Sequence, residues 1–264
     1  MRNMIMTVAL PVELGRRPRR HTRRAARRRE LLKMAVALVG AVLAGVALWF
    51  SGALAPTPAP SFGGYSSVTL IRQNPELPNG CEVTSLAMLL KAAGCPADKL
   101  TLYRDYLPKA DFSRVNGKCY APNPERWYVG DAADATGGWY CFEGPVVQAA
   151  NGWLEDRGSD LRARALTGLD REGLDRYARA GTPLAVWVTL NYAAPQRSQF
   201  FWLLEDETVY YPYRNLHCVV LTGVEDGKYR VADPISGITL VEKELFWDSF
   251  SAMGGRAVIV GRGG

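Results

Sequence analysis

Gln73-Asn-Pro-Glu-Leu-Pro-Asn-Gly-Cys81-Glu-Val-Thr-Ser-Leu-Ala-Met-Leu-Leu90 is the stretch from which the rest of the chain is best read. The turn residues Pro78-Asn79-Gly80 run straight into a helical pattern whose apolar positions Val83, Leu86, Ala87 and Leu90 fall on one face. Cys81 therefore stands in the first turn of a core helix that Gly94 ends and Pro96 keeps from resuming. There the unpaired N–H groups and the positive dipole end favour a thiolate, which is the nucleophilic form of cysteine. A lone cysteine is more often a small buried hydrophobe, so this reading needs companions elsewhere in the chain.

Two companions occur. Of the two histidines, His21 lies in an arginine-rich tail, which leaves His217 as the imidazole of any folded domain. It opens His217-Cys-Val-Val-Leu-Thr-Gly-Val224, which with Lys228-Tyr-Arg-Val-Ala-Asp233 reads as a hairpin around Glu225-Asp226-Gly227. With a three-residue loop, Asp233 faces Val219 and stands diagonal to His217 on the same side, roughly 7–8 Å away between Cβ atoms. A two-residue loop puts Asp233 on the opposite side, so pairing His217 with Asp233 requires the longer or a bulged connection.

These segments, Leu-Pro-Asn-Gly-Cys-Glu-Val-Thr-Ser-Leu-Ala-Met-Leu-Leu, then His-Cys-Val-Val-Leu-Thr-Gly, then Asp-Pro, resemble the stand-alone, cell-surface branch of papain-clan cysteine peptidase family thirty-nine. The bacteriocin-processing, double-glycine peptidases are relatives of that branch. The resemblance spans roughly residues 65–260 and is most specific at the cysteine. It implies an α+β, papain-like cysteine peptidase fold, with the nucleophile at the N-terminus of a core helix packed on an antiparallel sheet that carries the His and the Asp. It also implies Cys81 as nucleophile, His217 as base and then acid, Asp233 as the orienting group and Gln73 as an oxyanion-hole donor. Gln73 stands eight residues before the cysteine, a longer interval than the papain-clan pattern.

Composition bounds the function. The 264 residues are 48% hydrophobic, enough for one substantial core. The net charge of +6 is uneven: residues 1–33 hold eleven Lys/Arg against two Asp/Glu, so the remainder carries −3. A mildly acidic domain argues against a nucleic-acid partner. Four domains or segments are expected: a basic cytoplasmic tail (1–33), a transmembrane anchor or signal segment (34–55), a proline-rich linker (56–64) and a catalytic domain (65–264). The arginines before Met34 orient the amino terminus to the cytoplasm and the domain to the outside. Ala53-Leu-Ala55 has the small-x-small pattern of a signal-peptidase site, but Pro56 obstructs cleavage, so a retained anchor is favoured over secretion.

Along the domain, Val68–Ile71 reads as a short strand, and Pro145–Leu154 as a helix buried through Val146, Val147, Ala150 and Leu154. Asp170–Ala180 reads as another helix and Leu184–Leu190 as a buried strand. Phe200–Leu204 and Thr208–Pro212 form a hairpin around a solvated Glu205-Asp206-Glu207 tip. Strands at 237–241 and 257–260 enclose a helical stretch over 245–250. Between Cys95 and Phe142 periodicity fades, and this irregular segment is expected to wall the substrate cleft. Asp131 and Asp134 lack the ligand series of a calcium loop, and no metal or cofactor is expected. Among the five cysteines only a Cys119–Cys141 bridge is anticipated.

The expected activity is hydrolysis of peptide bonds in a peptide or protein substrate at the outer face of a cell membrane, through a Cys-His-Asp triad. Amidase or transpeptidase action on cell-wall peptides uses the same triad, and a non-catalytic tethered binding domain is the alternative from another class. Oligomeric state has no signature in the sequence.

Overall fold

A computed structural model of the chain describes residues 67–262, together with Lys33. The expected anchor segment and spacer, the rest of the basic tail and the terminal Gly263-Gly264 lie outside these residues. The chain divides into two units, 1–58 and 59–264, and everything below concerns the second. Among the described residues no helix is long and apolar enough to cross a membrane.

In chain order come helix α1 (Cys81–Ala92), a helical turn Lys99–Thr101 running into a π-turn Leu102–Tyr106, and four short strands. These are β1 (Lys109–Ala110), β2 (Ser113–Val115), β3 (Lys118–Tyr120) and β4 (Tyr128–Val129). Helix α2 (Glu143–Glu155), strand β5 (Leu161–Leu166), helix α3 (Arg171–Arg179) and strand β6 (Leu184–Thr189) follow. Then come β7 (Trp202–Leu203), β8 (Val209–Tyr210), β9 (Leu216–Glu225), β10 (Lys228–Asp233), β11 (Gly237–Val241), helix α4 (Lys243–Ala252) and β12 (Ala257–Arg262).

Six strands form an antiparallel sheet in the order β11-β10-β9-β6-β12-β5. Side chains alternate across it, and both faces of its central strands are covered. Ala185, Trp187, Cys218, Val258 and Val260 pack with α1 and α2. Leu184, Val186, Val188, Val219, Leu221 and Ile259 pack with Leu174 of α3 and with Phe246 and Phe250 of α4. Burial on both faces is why Leu184–Val188 is continuously apolar, as a half-exposed strand would not be. The fold is thus α+β, with a core helix against an antiparallel sheet as expected and a second helical layer behind the sheet.

Helix α1 is the centre of the first layer. Of its residues only Lys91 is exposed. Leu86, Leu89 and Leu90 have no solvent exposure, and each such burial stabilises by roughly 1.5–3 kcal/mol. At its C-terminus the Cys95 N–H reaches the Leu90 carbonyl and the Gly94 N–H the Lys91 carbonyl, with Gly94 at φ +82°. That is a Schellman ending, in which glycine accepts the left-handed conformation without a Cβ clash. Helix α3 is capped at its start by Asp170, whose carboxylate accepts from the Gly173 N–H at 2.8 Å.

Several expectations need correction. Val68–Ile71 joins no sheet; Val68, Leu70 and Ile71 are held by side-chain packing on Met88, Val220 and Ala232. Helix α2 is longer than read and buries Ala149 and Trp153, while Val147 is only half-buried. The irregular segment after Cys95 contains structure whose strands, at two or three residues, are too short for periodicity to register. Strands β2-β3-β7-β8 make a small sheet, and β1 pairs with β4. Fully buried Trp202 sits at the centre of that sheet's packing, with ring centroids 5.4 Å from Phe112, 5.5 Å from Trp139 and 5.0 Å from Tyr210. All five cysteines are free. Cys119 belongs to the small sheet, whereas Cys141 is buried in the main core, where its carbonyl accepts from the Trp187 indole at 2.9 Å, so the anticipated bridge does not form.

Candidate active site

A cleft of about 540 Å³ runs past the N-terminus of α1. Gln73, Asn79 and Cys81 line it together with Leu190, Tyr213, Arg214 and His217, and Ala135, Thr136, Gly138, Trp139 and Tyr140 supply another wall. The segment read as irregular therefore does wall the cleft that holds Cys81. Asp131 and Asp134 shape that wall locally: Asp131 accepts from Tyr103 and the Ala133 N–H, and Asp134 accepts from the Thr136 N–H and hydroxyl.

The turn before Cys81 is tightly packed. A Cβ on Gly80 would lie 2.6 Å from the Leu77 Cβ, so glycine permits the close return of the chain into the helix. Asn79 is fixed on both sides, its carbonyl accepting from the Tyr128 hydroxyl at 2.9 Å and its side chain donating to the Asp134 carbonyl at 2.8 Å. The Ser85 hydroxyl donates to the Cys218 carbonyl at 3.1 Å, tying α1 to the strand residue next to His217.

His217 and Asp233 are joined. His217 Nε2 lies 2.9 Å from Asp233 Oδ1, and both side chains are nearly buried. The same Oδ1 accepts from the Ile235 and Ser236 N–H groups at 2.7 and 3.2 Å. Burial by itself raises the Asp233 carboxyl, but the His217 hydrogen bond and charge, with those two N–H groups, outweigh it and hold the group at about 2. As a carboxylate it only accepts, so Nε2 carries the proton and Nδ1 is the nitrogen free to take another.

The hairpin reaches this pairing by a different route from the one expected. Lys228 pairs with Glu225, leaving a two-residue turn, Asp226-Gly227, with φ +50° and +78°. This is the mirror-image turn that Asp-Gly favours. An uninterrupted ladder from it would set Asp233 opposite Val220 and turn it away from His217. The register instead shifts between Arg230 and Val231: Gly223 pairs with Arg230 and Leu221 with Val231, so Thr222 is the extra residue of a β-bulge. The bulge restores the parity that a three-residue loop would have given.

Gln73 is also buried. Its side-chain amide donates to the Pro78 carbonyl at 2.5 Å, and its Oε1 has no partner among the described residues. Its backbone N–H bonds to the Pro234 carbonyl at 3.1 Å, and Arg72 bonds to Ile235, so the Gln73 segment is fastened to the Asp233 loop. The interval from Gln73 to Cys81 is taken up by turns, with Leu77 N–H on the Gln73 carbonyl and Gly80 N–H on the Leu77 carbonyl. Lys99 clamps this arch. Its ammonium donates to the carbonyls of Arg72 and Gln73 at 2.5 and 2.9 Å and to Glu76 at 2.8 Å. A lysine in a helical turn reads as surface, and no pattern in the sequence gives its role.

Cys81 shares the cleft with His217, but its hydrogen bond goes to Glu82, Sγ to Oε2 at 3.3 Å. Burial raises the thiol well above its ordinary range, and the Glu82 charge raises it further. Glu82 is fully buried and accepts the Cys141 N–H at 3.1 Å. Burial lifts its carboxyl to about 7, against the lowering effect of its own N–H, the Cys141 N–H and the thiol. A helix N-terminus favours an anion by about 0.3–1 kcal/mol, whereas a unit charge about 4 Å away at an effective dielectric of 20 opposes one by about 4 kcal/mol. Burial first and the neighbouring carboxyl second therefore oppose the helix terminus's preference for a thiolate at Cys81. A Glu in a helix's first turn reads as a dipole-favoured surface residue; only the fold buries it.

Known proteins similar to this chain include a sequence relative and solved structures. The uncharacterized protein YvpB of Bacillus subtilis (strain 168) is 30% identical over 189 residues, covering 70% of each chain. The crystal structure of a C39-like protein from Bacillus anthracis superposes with a TM-score of 0.64 at 30% identity, over 74% of this chain and 95% of that one. A double glycine motif protease of an AMS/PCAT transporter, solved with its leader peptide, gives a TM-score of 0.42 at 16% identity, over 76% of this chain and 96% of that one. The model of the peptidase C39-like family matches residues 65–258, and the chain belongs to that family.

Proposed function

We propose that this chain is a membrane-anchored, extracytoplasmic cysteine peptidase that hydrolyses peptide bonds with Cys81 as nucleophile, His217 as base and acid, and Asp233 as the group that orients the imidazole. The observation that carries this reading is the His217–Asp233 hydrogen bond at 2.9 Å beside a cleft lined also by Cys81, at a helix N-terminus, and by Gln73.

In the proposed reaction the Cys81 proton passes to His217 Nδ1 as the sulfur bonds to the substrate carbonyl carbon and the carbonyl electron pair moves onto oxygen. That oxyanion is met by the first N–H of α1 and by the Gln73 amide. His217 then gives its proton to the leaving nitrogen as the C–N bond breaks, which leaves a thioester on Cys81. Water attacks the thioester while His217 takes its proton, and the C–S bond breaks to restore the thiol. Asp233 fixes the imidazole tautomer and offsets its positive charge at both stages.

The test uses the purified full chain and its Cys81→Ala variant, each incubated with casein and with purified peptidoglycan, and new amino groups are located by mass spectrometry. New termini in casein with the native chain and none with the variant support the proposal. Turnover retained by a folded variant overturns it, and release of amines from peptidoglycan alone replaces the peptidase reading with cell-wall amidase action.

A further inference from the structure

Glu82 follows the nucleophile directly in the chain, yet the mechanism above leaves it idle. Its carboxyl is fully buried, with one oxygen on the Cys81 thiol at 3.3 Å and the other on the Cys141 N–H at 3.1 Å. The titratable groups that feel its charge come from every element around it. They are the thiols of Cys81 on α1, Cys141 at the entry to α2 and Cys218 on β9, and the phenol of Tyr128 on β4. All four are acids, each held protonated by burial first and by Glu82 next. Among the described residues no Lys, Arg or His forms a hydrogen bond or ion pair with Glu82. Two adjacent buried anions without a cation are strongly disfavoured, so the Cys81–Glu82 pair retains a proton between its members.

We propose that Glu82 is the positioning residue of the nucleophile: its carboxyl holds the Cys81 thiol by a hydrogen bond and keeps the proton on that pair, so that the sulfur ionises only when His217 draws the proton away during attack. The inference rests on Cys81 being the nucleophile, but it concerns the sulfur's resting state. It predicts a peptidase whose free thiol resists electrophiles and oxidants near neutral pH, when a helix-tip cysteine paired with histidine would react readily.

The test is the pH profile of Cys81 alkylation by iodoacetamide in the purified full chain. The reaction forms an S–C bond with loss of iodide and of the thiol proton, and peptide mass spectrometry separates Cys81 from the other four cysteines. In the native chain the rate should rise in two steps with a plateau between them, because the two groups titrate as a pair. Glu82→Gln keeps an acceptor for the Cys141 N–H and removes the charge; it should shift the profile to lower pH and speed alkylation at pH 7 about tenfold. Glu82→Asp, which keeps the charge, should stay close to the native curve. A Glu82→Gln profile superposed on the native one overturns the proposal, because a purely structural carboxyl would change stability and leave the profile in place. If Glu82→Gln does not fold, the native curve decides: a single ionisation overturns the pairing. Alkylation is read whether or not a peptide is cleaved, so failure here is distinct from failure of the peptidase reading.

Discussion

At the scale of single residues, Asp233 is the most constrained group in the cleft's surroundings, with three donors converging on one oxygen. Its carboxyl sits at about 2, below the ordinary 3.8. A depressed acid contributes stability that is fully present above its unfolded value and is lost as the pH falls through its folded value. Denaturant unfolding of the native chain and of Asp233→Asn should therefore differ by on the order of 1–2 kcal/mol at neutral pH. That gap should close between about pH 4 and pH 2. A gap that does not change with pH would mean the charge of Asp233 contributes nothing to folding. The same variant should lower peptidase turnover on the order of 10²–10⁴-fold, because an amide neither fixes the imidazole tautomer nor offsets its charge. The roles of Cys81, His217, Asp233 and Gln73 were expected from the family resemblance, while the helix start at Cys81 and the strands carrying His217 and Asp233 were legible in the sequence because turn residues and apolar runs are local facts. Glu82 and Lys99 were not, because a charged residue's burial depends on what the rest of the chain lays over it.

Among the elements, the β9–β10 hairpin decides whether His217 and Asp233 can meet. Its strands and turn region were legible from apolar, β-branched runs and Asp226-Gly227, whereas the bulge was not. A bulge at Thr222 has no mandatory residue type, and the sequence required only that an extra residue exist somewhere between His217 and Asp233. The structure locates it in the strand, with the turn reduced to two residues. Deleting Thr222 should therefore be tolerated, because an unbroken ladder then keeps Gly223 on Arg230, Leu221 on Val231 and Asp233 on the side of His217. Deleting Val220 should be far more damaging. If the bulge stays, Asp233 falls opposite Cys218 and leaves the side of His217; if the bulge is absorbed, Thr222 replaces Leu221 in the core shared with Leu174 and Phe246. Peptidase turnover of the Val220 deletion should fall at least on the order of 10²-fold, in line with loss of a positioned base, and the His217 Nε2 proton should lose its hydrogen-bonded NMR signal. Gly227→Ala is the control: at φ +78° a Cβ costs about 1–2 kcal/mol of stability, yet turnover per folded molecule should remain. Full activity in the Val220 deletion would refute this account of how Asp233 is aimed.

For the whole molecule, the two-sided burial of the six-stranded sheet was foreshadowed by the continuous apolar run Leu184–Val188, but the second helical layer was not, since α3 is short and highly charged. What the domain does also depends on where the chain holds it. Met34–Ala55 is free of charge and follows a run of arginines. Its length in sequence suits the anchor of the proposed function, since a hydrocarbon core of about 30 Å takes about 20 apolar residues. Arginine on the amino-terminal side favours retention of that side in the cytoplasm. The full chain expressed in bacterial cells should then stay with the membrane fraction through an alkaline wash. Protease added to intact spheroplasts should digest residues 65–264 while sparing an epitope placed before Met1. Leu43→Arg with Leu48→Arg puts two charges in the apolar stretch, each costing about 2.5–3.5 kcal/mol at a helix centre, and should release the chain from the wash-resistant fraction. A native chain extracted by the alkaline wash, or a domain shielded in intact spheroplasts, would remove the anchor from the proposed function. A mature chain beginning at Pro56 would replace the anchor with a cleaved signal and a secreted enzyme.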